Sequence, residues 1–405
     1  MRLAGHGDRV PPIALRALSR SPGQRVSGSL SAPNSHQPRQ CSEASGSITL
    51  RALTPLRISA LSTESEWQPV ARPTVAVITT NYNHARYLPE SIGAVLAQTR
   101  IPDEYLLIDD ASTDGSRAVM ASLTAGRPWI RILHNDRNLG VIPSANRALA
   151  ETSCDYVFFL SADDRLAPAF IERSLSLLER HPSAAICSAL TDAIDVDGRP
   201  LGVFGSAVVA SADSWLSPRD AREALLRYGV WVWGNTTVIR RDALIELGGL
   251  RAELGSRADG ALHVLLPLRY GACFIPAPLA SFRVVQDSYS QHERRDPVQY
   301  QRVEQQLLAL LRAAGEIVPA EYIQNRQRLL SLQTAYDAAL LREAGILFGG
   351  SSRPLTTLGR RLRTDLTLLG LLWRYRAAWW ADRQRTRRVR ATLGRAGIRP
   401  EDTYS

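Results

Sequence analysis

Between residues 74 and 160 the chain alternates between short apolar runs rich in β-branched residues and segments with helical spacing. The runs predict strands at residues 74–80, 104–109, 129–133 and 155–160, and the other segments predict helices at 87–98, 116–123 and 142–150. Such an alternation folds as a parallel sheet covered by helices on both faces. Because ligands of these sheets bind at the carboxyl ends of the strands, the residues that follow the strands are the functional candidates.

Acidic side chains follow two of the predicted strands. Asp109, Asp110 and Ser112 come at the end of the second strand, and Asp163 and Asp164 follow the fourth. A carboxylate in the first group can accept a hydrogen bond from a nucleobase N–H or a ribose hydroxyl. The second group offers oxygen ligands that suit Mg²⁺ or Mn²⁺ on a diphosphate. The alternative is helix capping, which one acid or serine in each group would satisfy.

The order and spacing of these motifs across residues 74–164 resemble family-2 glycosyltransferases of the GT-A fold. The matching segments are 79–83, 87–92, Gln98-Thr99, 108–116, 138–140, Asn146 and the acidic strand end. The resemblance continues, more faintly, to about Ser290. It implies an α/β protein of the GT-A fold, with a Rossmann-like, mostly parallel sheet and helices on both faces, to which a helical C-terminal extension is added.

The resemblance also implies roles for individual residues of the donor site. Thr80 and Asp110 would bind the nucleoside, and Asp163 would lie at the metal–diphosphate position of the DxD motif. Mn²⁺ or Mg²⁺ is the cofactor that this implies, with Asp164 as a second ligand. The family often has an acid two residues before Asp163, where this chain has Ser161. The remaining residues predicted to bind the nucleotide sugar are Tyr82, Asn83, Asp109, Ser112 and Asn138.

Asp259 matches, loosely, the late acidic motif of the family, whose aspartate is the catalytic base. An inverting transfer needs one carboxylate to take the proton of the acceptor hydroxyl. At the start of a helix over 259–269, the helix dipole favours the ionised carboxylate. The alternative is that Asp259 only caps this helix. Trp233 and Asn235 are predicted to contact the acceptor, with core packing as the alternative for the tryptophan.

The net charge of +10 is concentrated at the ends of the chain. Residues 351–405 carry 13 Arg against four acidic residues, whereas the predicted catalytic core is slightly acidic. Nucleic acid is therefore not expected as a partner. Residues 355–393 combine Leu, Trp and Arg in a predicted helix, which is typical of binding to an anionic membrane surface. A solvated helix packed on the domain or in an oligomer is the alternative.

These patterns divide the chain into three parts. Residues 1–70 are rich in Ser, Arg, Pro and Gly, and this composition predicts a disordered or non-native leader. Residues 71–295 would form the glycosyltransferase domain, with a nucleotide-sugar-binding half (71–167) and an acceptor half (168–295). Residues 296–405 would form the helical, basic extension. No apolar run approaches the roughly 20 residues of a membrane span, and no signal-peptide core is found. A cytoplasmic protein is therefore expected. Its basic tail would hold it at the inner face of the cell membrane.

The sequence thus predicts an inverting, hexosyltransferase-type glycosyltransferase of cell-envelope polysaccharide biosynthesis. Its donor would be a UDP- or dTDP-linked sugar, and its acceptor a hydroxyl of a lipid-linked or cell-surface glycan. One alternative is a catalytically inactive scaffold of the same fold, which Ser161 and Val285 suggest because relatives carry an acid and a histidine in those regions. A nucleotidyltransferase is a weaker alternative, since residues 79–87 offer no glycine-rich, basic phosphate loop.

Overall fold

A computed structural model describes residues 72–204, 207–285, 288–289, 293 and 296–331 of the chain. The predicted leader, residues 1–70, and the predicted basic helix, residues 355–393, lie outside these ranges. Within them, no helix is both long and apolar enough to cross a membrane.

The described part of the chain contains ten strands, eight helices with bounds given below and two short 3₁₀ helices. The strands are β1 Val75–Asn81, β2 Glu104–Asp109, β3 Ile130–His134, β4 Tyr156–Ser161, β5 Arg165–Leu166, β6 Ile186–Ile194, β7 Pro200–Phe204, β8 Ser214–Leu216, β9 Thr237–Arg240 and β10 Ala272–Arg283. The helices are α1 Leu88–Leu96, α2 Ser116–Thr124, α3 Val141–Ala150, α4 Phe170–Arg180, α5 Pro218–Tyr228, α6 Arg241–Glu246, α7 Ala258–Tyr270 and α8 Pro297–Ala313. The 3₁₀ helices are Gly234–Thr236 and Ala252–Arg257, and residues 320–331 are also helical.

All ten strands belong to one sheet with the order β3-β2-β1-β4-β9-β6-β10-β5, to which β7 adds beside β6 and β8 beside β10. The predicted α/β fold is confirmed, and strands β1 to β4 pair in parallel as expected. Strand β9 lies antiparallel between β4 and β6, so β4 and β6 run in the same direction. The carboxyl ends of β1, β2, β4 and β6 therefore share one edge of the sheet.

Helices cover both faces of the sheet because the strand residues alternate between two apolar clusters. In β1, Val75 and Val77 face the cluster that also contains residues of α1, α2 and α4. Ala76 and Ile78 face the cluster formed with α3, α5, α6, α7 and α8. These four side chains are at most 1 % exposed, and burial of aliphatic side chains on two faces is the main stabilising contribution to such a sheet.

Helix α8 continues the second face beyond the predicted domain boundary at residue 295. It begins where the Asp296 side chain accepts hydrogen bonds from the backbone N–H groups of Val298 and Gln299, at 3.0 and 3.1 Å, which is the usual N-cap arrangement. Its buried Glu304 forms an ion pair of 2.6 Å with Arg257 just before α7. The first part of the extension thus packs on the segment that leads into the predicted base helix.

Candidate active site

Two loops at the carboxyl ends of β1 and β2 hold each other in place. The Ser112 hydroxyl accepts hydrogen bonds of 3.0 Å from the Asn81 side-chain amide and from the Asn83 backbone N–H. The Asn83 side-chain oxygen accepts one of 2.8 Å from the backbone N–H of Thr113. Asn83 and Ala111 are the two non-glycine residues with positive φ in the described part, at 58° and 61°. Such backbone strain is concentrated at functional sites in proteins.

Replacing Ala111 by glycine is expected to stabilise the protein by about 1 kcal/mol, because glycine adopts positive φ without the Cβ clash. The matched control is Ala118→Gly at an exposed position within α2, where glycine should cost about 1 kcal/mol. The free energy of unfolding in urea measures both. If the two variants lost stability equally, the strain at Ala111 would be disproved.

The predicted nucleoside ligand Asp110 holds the loop that follows β3. Its carboxylate accepts hydrogen bonds of 2.6 Å from the Asn135 side chain, 2.9 Å from the Leu139 N–H and 2.8 Å from the Gly140 N–H. Asn138, also predicted in the site, accepts a second bond from the Gly140 N–H at 2.9 Å. Asp110 and Asn138 therefore shape the loop over residues 135–140, and a direct contact with the nucleoside stays a prediction.

Asp109 lies beside Asp110 with its side chain fully buried. Burial raises its pKa, but the hydrogen bond with Ser112 and the guanidinium of Arg117 outweigh this, so the pKa stays below its ordinary value and the group is a carboxylate. Arg117 Nε donates to one carboxylate oxygen at 2.6 Å. Of the other predicted donor residues, Thr80 is half-buried at the end of β1 and Tyr82 is exposed just beyond it.

The loop after β4, residues 161–164 (the acid loop), carries the predicted metal ligands. Asp164 is buried, and burial together with the charge of Asp163 raises its pKa well above the ordinary value. Burial also raises the pKa of Asp163, against the opposing charges of His84 and Arg283. Asp164 Oδ1 accepts a hydrogen bond of 2.9 Å from the Arg283 N–H, and its Oδ2 has no partner of good geometry. The half-buried Asp163 and the buried Asp164 repel each other when both are ionised, and a bound cation would relieve that repulsion.

Arg283, at the end of β10, is a site residue that the sequence reasoning missed. Its side chain is 1 % exposed, and Nε donates to the backbone oxygen of Asp163 at 2.8 Å. The guanidinium also donates to the backbone oxygens of Asp195 and Val196 and to the Glu90 carboxylate, and it lies 4.8 Å from the centre of the Tyr87 ring. The one feature of the sequence that could have pointed to Arg283 is the resemblance of residues 281–285 to a segment of the family.

The predicted base Asp259 is exposed in the first turn of α7. Its Oδ2 lies directly over Gly234, where a methyl group would come within 2.6 Å of that oxygen. The neighbouring Asn235 donates from its side chain to the Thr191 hydroxyl at 3.0 Å, and Trp233 is half-buried. The structure thus brings Asp259 together with the two predicted acceptor residues.

One turn after Asp259, the side chain of His263 is buried behind the carboxylate. Burial lowers its pKa, and the nearby charge of Asp259 opposes the shift only partly. His263 is therefore neutral at physiological pH, and its ring, like Asp259, lies against Gly234.

Five of the buried side-chain polar atoms that lack a hydrogen-bond partner in the described structure lie on the elements that meet at this edge, whereas others, such as Glu104 Oε2 and Arg326 Nε, lie elsewhere. Buried polar groups are nearly always paired in folded proteins, and a polar ligand at this edge would pair these five. The atoms are Asn81 Oδ1, His84 Nδ1, Asp109 Oδ1, Asp164 Oδ2 and Asp192 Oδ1.

The chain is similar in sequence to known glycosyltransferases. Residues 76–245 match the family model of glycosyl transferase family 2. The chain is 31 % identical over 177 residues to an uncharacterised glycosyltransferase of Haemophilus influenzae, covering 43 % of this chain and 54 % of that protein. It is 31 % identical over 134 residues to a putative teichuronic acid biosynthesis glycosyltransferase of Bacillus subtilis, covering 33 % and 52 %. The matches thus span about half the length of these relatives.

Solved structures are similar at lower identity. The structure of S. aureus TarS 1-349 in complex with UDP-GlcNAc is 15 % identical with a TM-score of 0.49, and the match covers 59 % of this chain and 66 % of that one. A mannosyltransferase from Pyrobaculum calidifontis in complex with GDP-Man and Mn²⁺ is 19 % identical with a TM-score of 0.47, over 81 % and 88 %. The family match over residues 76–245 and the sequence relatives together support a family-2 glycosyltransferase.

Proposed function

We propose that the chain transfers a sugar from a nucleoside diphosphate sugar to an acceptor hydroxyl, with inversion at the anomeric carbon. The observation that carries the proposal is the group of unpartnered buried polar atoms at the sheet edge where the acid loop and the loops after β1 and β2 meet. The match of residues 76–245 to the model of glycosyl transferase family 2 supports it.

The donor would lie along the carboxyl ends of β1, β2 and β4. Thr80, Tyr82, Asp109 and the loop held by Asp110 would contact the nucleoside. The diphosphate would then extend towards Asp163 at the acid loop. Because Asp109 stays ionised, its carboxylate is a strong acceptor for a ribose or base N–H or O–H group.

The acid loop fits a divalent metal only in part. Asp163 and the unpartnered Oδ2 of Asp164 offer oxygen ligands, and Mg²⁺ or Mn²⁺ is commonly held by one or two carboxylates together with substrate phosphates. No three Asp, Glu, His or Cys side chains in the described residues form a complete metal site. When bound with the diphosphate, such an ion would neutralise the charge that develops on the leaving nucleotide.

Asp259 is proposed as the base. Its carboxylate would accept the proton of the acceptor hydroxyl while that oxygen forms a bond to the anomeric carbon and the bond to the diphosphate breaks. The acceptor would lie beside Trp233 and Asn235, which flank Gly234. Attack from the face opposite the nucleotide gives the inverted product.

The acceptor is proposed to be a glycan of the cell surface, free or lipid-linked. Two relatives support this: the Bacillus subtilis protein is named for teichuronic acid biosynthesis, and a Rhizobium meliloti protein, 29 % identical over 140 residues, for succinoglycan biosynthesis. Attachment of residues 355–393 to an anionic membrane stays a prediction.

Calorimetry of UDP, dTDP and GDP binding, with and without Mn²⁺, tests the donor site. We expect wild type to bind one of them with metal dependence, and Asp163→Ala to bind it at least 10-fold more weakly, since a charge-assisted contact contributes about 1.5–3 kcal/mol. Asp213→Asn is the control, because its carboxylate pairs with Arg173 at the surface. Binding of none of the nucleotides by wild type would refute the proposed function.

A further inference from the structure

Asp192 is a buried carboxylate in β6 that the proposed mechanism does not use. The residue is 5 % exposed, and Oδ1 has no hydrogen-bond partner in the described structure. Burial raises its pKa to about 6, and no charged neighbour contributes to the shift. A buried carboxylate without a partner destabilises a folded protein. Its presence is therefore explained best by a ligand that completes its hydrogen bonds.

The position of Asp192 places it on the proposed site. Strand β6 runs in the same direction as β4, so its carboxyl end lies at the edge that carries the acid loop. Side chains alternate along a strand, so Asp192 lies on the same face as Leu190, which belongs to the apolar cluster that includes α7. Helix α7 packs on this face, and the proposed base Asp259 lies in its first turn.

The residue before Asp192 links this strand to the acceptor residues. Thr191 accepts the hydrogen bond from Asn235, which follows Gly234, and Gly234 lies under the Asp259 carboxylate. The end of β6 therefore lies next to the residues proposed to contact the acceptor. A carboxylate is the strongest acceptor that a side chain offers to sugar hydroxyls.

We infer that Asp192 binds hydroxyl groups of the donor's sugar and so helps to determine which sugar is transferred. The inference rests on the proposed function and adds a contact to the sugar that neither the acid loop nor Asp259 supplies. A buried water molecule is the competing explanation for the unpartnered oxygen, and it predicts no effect of the sugar on binding.

The test compares matched ligands that differ only by the sugar: UDP with UDP-glucose and UDP-GlcNAc, dTDP with dTDP-glucose, and GDP with GDP-mannose. Calorimetry with Mn²⁺ gives both affinities for wild type, Asp192→Asn and the surface control Asp213→Asn. For the pair that wild type binds, we expect the sugar to strengthen binding. Asp192→Asn should bind the nucleotide like wild type and lose about 10-fold or more of affinity for the nucleotide sugar.

Thermal unfolding completes the test. Because the variant removes an unpartnered buried charge, its melting temperature should equal or exceed that of wild type. The inference is overturned if the sugar adds no affinity to wild type, if Asp192→Asn binds both ligands like wild type, or if Asp192→Asn loses affinity for both ligands equally. Wild type that binds no nucleotide would instead remove the proposed function, and this inference with it.

Discussion

Replacing Asp259 by asparagine is expected to lower the turnover number by about 10²- to 10⁴-fold, the usual contribution of a general base. Asparagine keeps the shape of the side chain but cannot take a proton. Because Asp259 lies on α7, apart from the strand ends proposed to hold the nucleotide, nucleotide affinity should stay unchanged. Turnover is measured as release of nucleoside diphosphate from the donor that wild type uses.

Two further variants separate the chemistry from the folding of this helix. Gly234→Ala places a methyl group 2.6 Å from Asp259 Oδ2, so it should lower turnover by moving the base while leaving stability nearly unchanged. Glu253→Gln, at an exposed carboxylate near the start of α7, should have no effect on turnover. If Asp259→Asn kept more than a tenth of wild-type turnover, another group would be the base.

Replacing Arg283 by methionine is expected to cost about 3 kcal/mol of folding free energy, because three backbone oxygens lose their donor and each unsatisfied buried acceptor costs about 1–3 kcal/mol. The change leaves the backbone oxygens of Asp163, Asp195 and Val196 without their donor. It also releases the acid loop, so metal-dependent nucleotide binding should be lost even under conditions where the variant is folded. Urea unfolding measures the free energy, and calorimetry measures the binding.

Arg165→Met is the matched control for this prediction. Arg165 pairs with the same Glu90 carboxylate at 2.6 Å, but its side chain is 30 % exposed. An exposed pair of this kind contributes about 0–1 kcal/mol. Equal losses for the two variants would show that the buried hydrogen bonds of Arg283 do not hold the acid loop.

The first half of the fold could be predicted from the sequence because each of its elements is specified locally. The apolar run at residues 74–80 becomes β1, Val75–Asn81, one residue later than predicted. Its residues are buried on both faces of the sheet, and this is why the run is continuous rather than alternating. Helices α1 to α3 follow in the same way from their apolar spacing.

The helix predicted over 259–269 is α7, but two strands of the second half could not be predicted, because they depend on distant partners. Strand β10 contains Pro276 and Pro278, which argue against a strand, and it accommodates them through register shifts between Ile275 and Ala280. Strand β9 is only four residues long and is fixed by pairing with β4 and β6. Neither the register shifts of β10 nor the pairing partners of β9 can be seen in the local sequence.

The same division applies to the site. Acids that follow a strand are visible in the sequence, so Asp109, Asp163 and Asp164 could be named. What each carboxylate contacts depends on residues far along the chain: Asp164 bonds with Arg283, 119 residues away. Asp192 gave no signal either, because a single acid within an apolar strand becomes notable only when it is found buried without a partner.

The anomeric configuration of the released sugar tests most directly whether the protein catalyses sugar transfer with inversion. With an α-linked nucleotide sugar and no acceptor, water takes the acceptor's place, and proton NMR follows the anomeric signal of the freshly released sugar. The proposal predicts that the β-anomer appears first, before mutarotation, and that Asp259→Asn abolishes its release. Initial release of the α-anomer would contradict inversion. Nucleotide binding without any release, with water or with an acceptor glycoside present, would instead identify the chain as a scaffold.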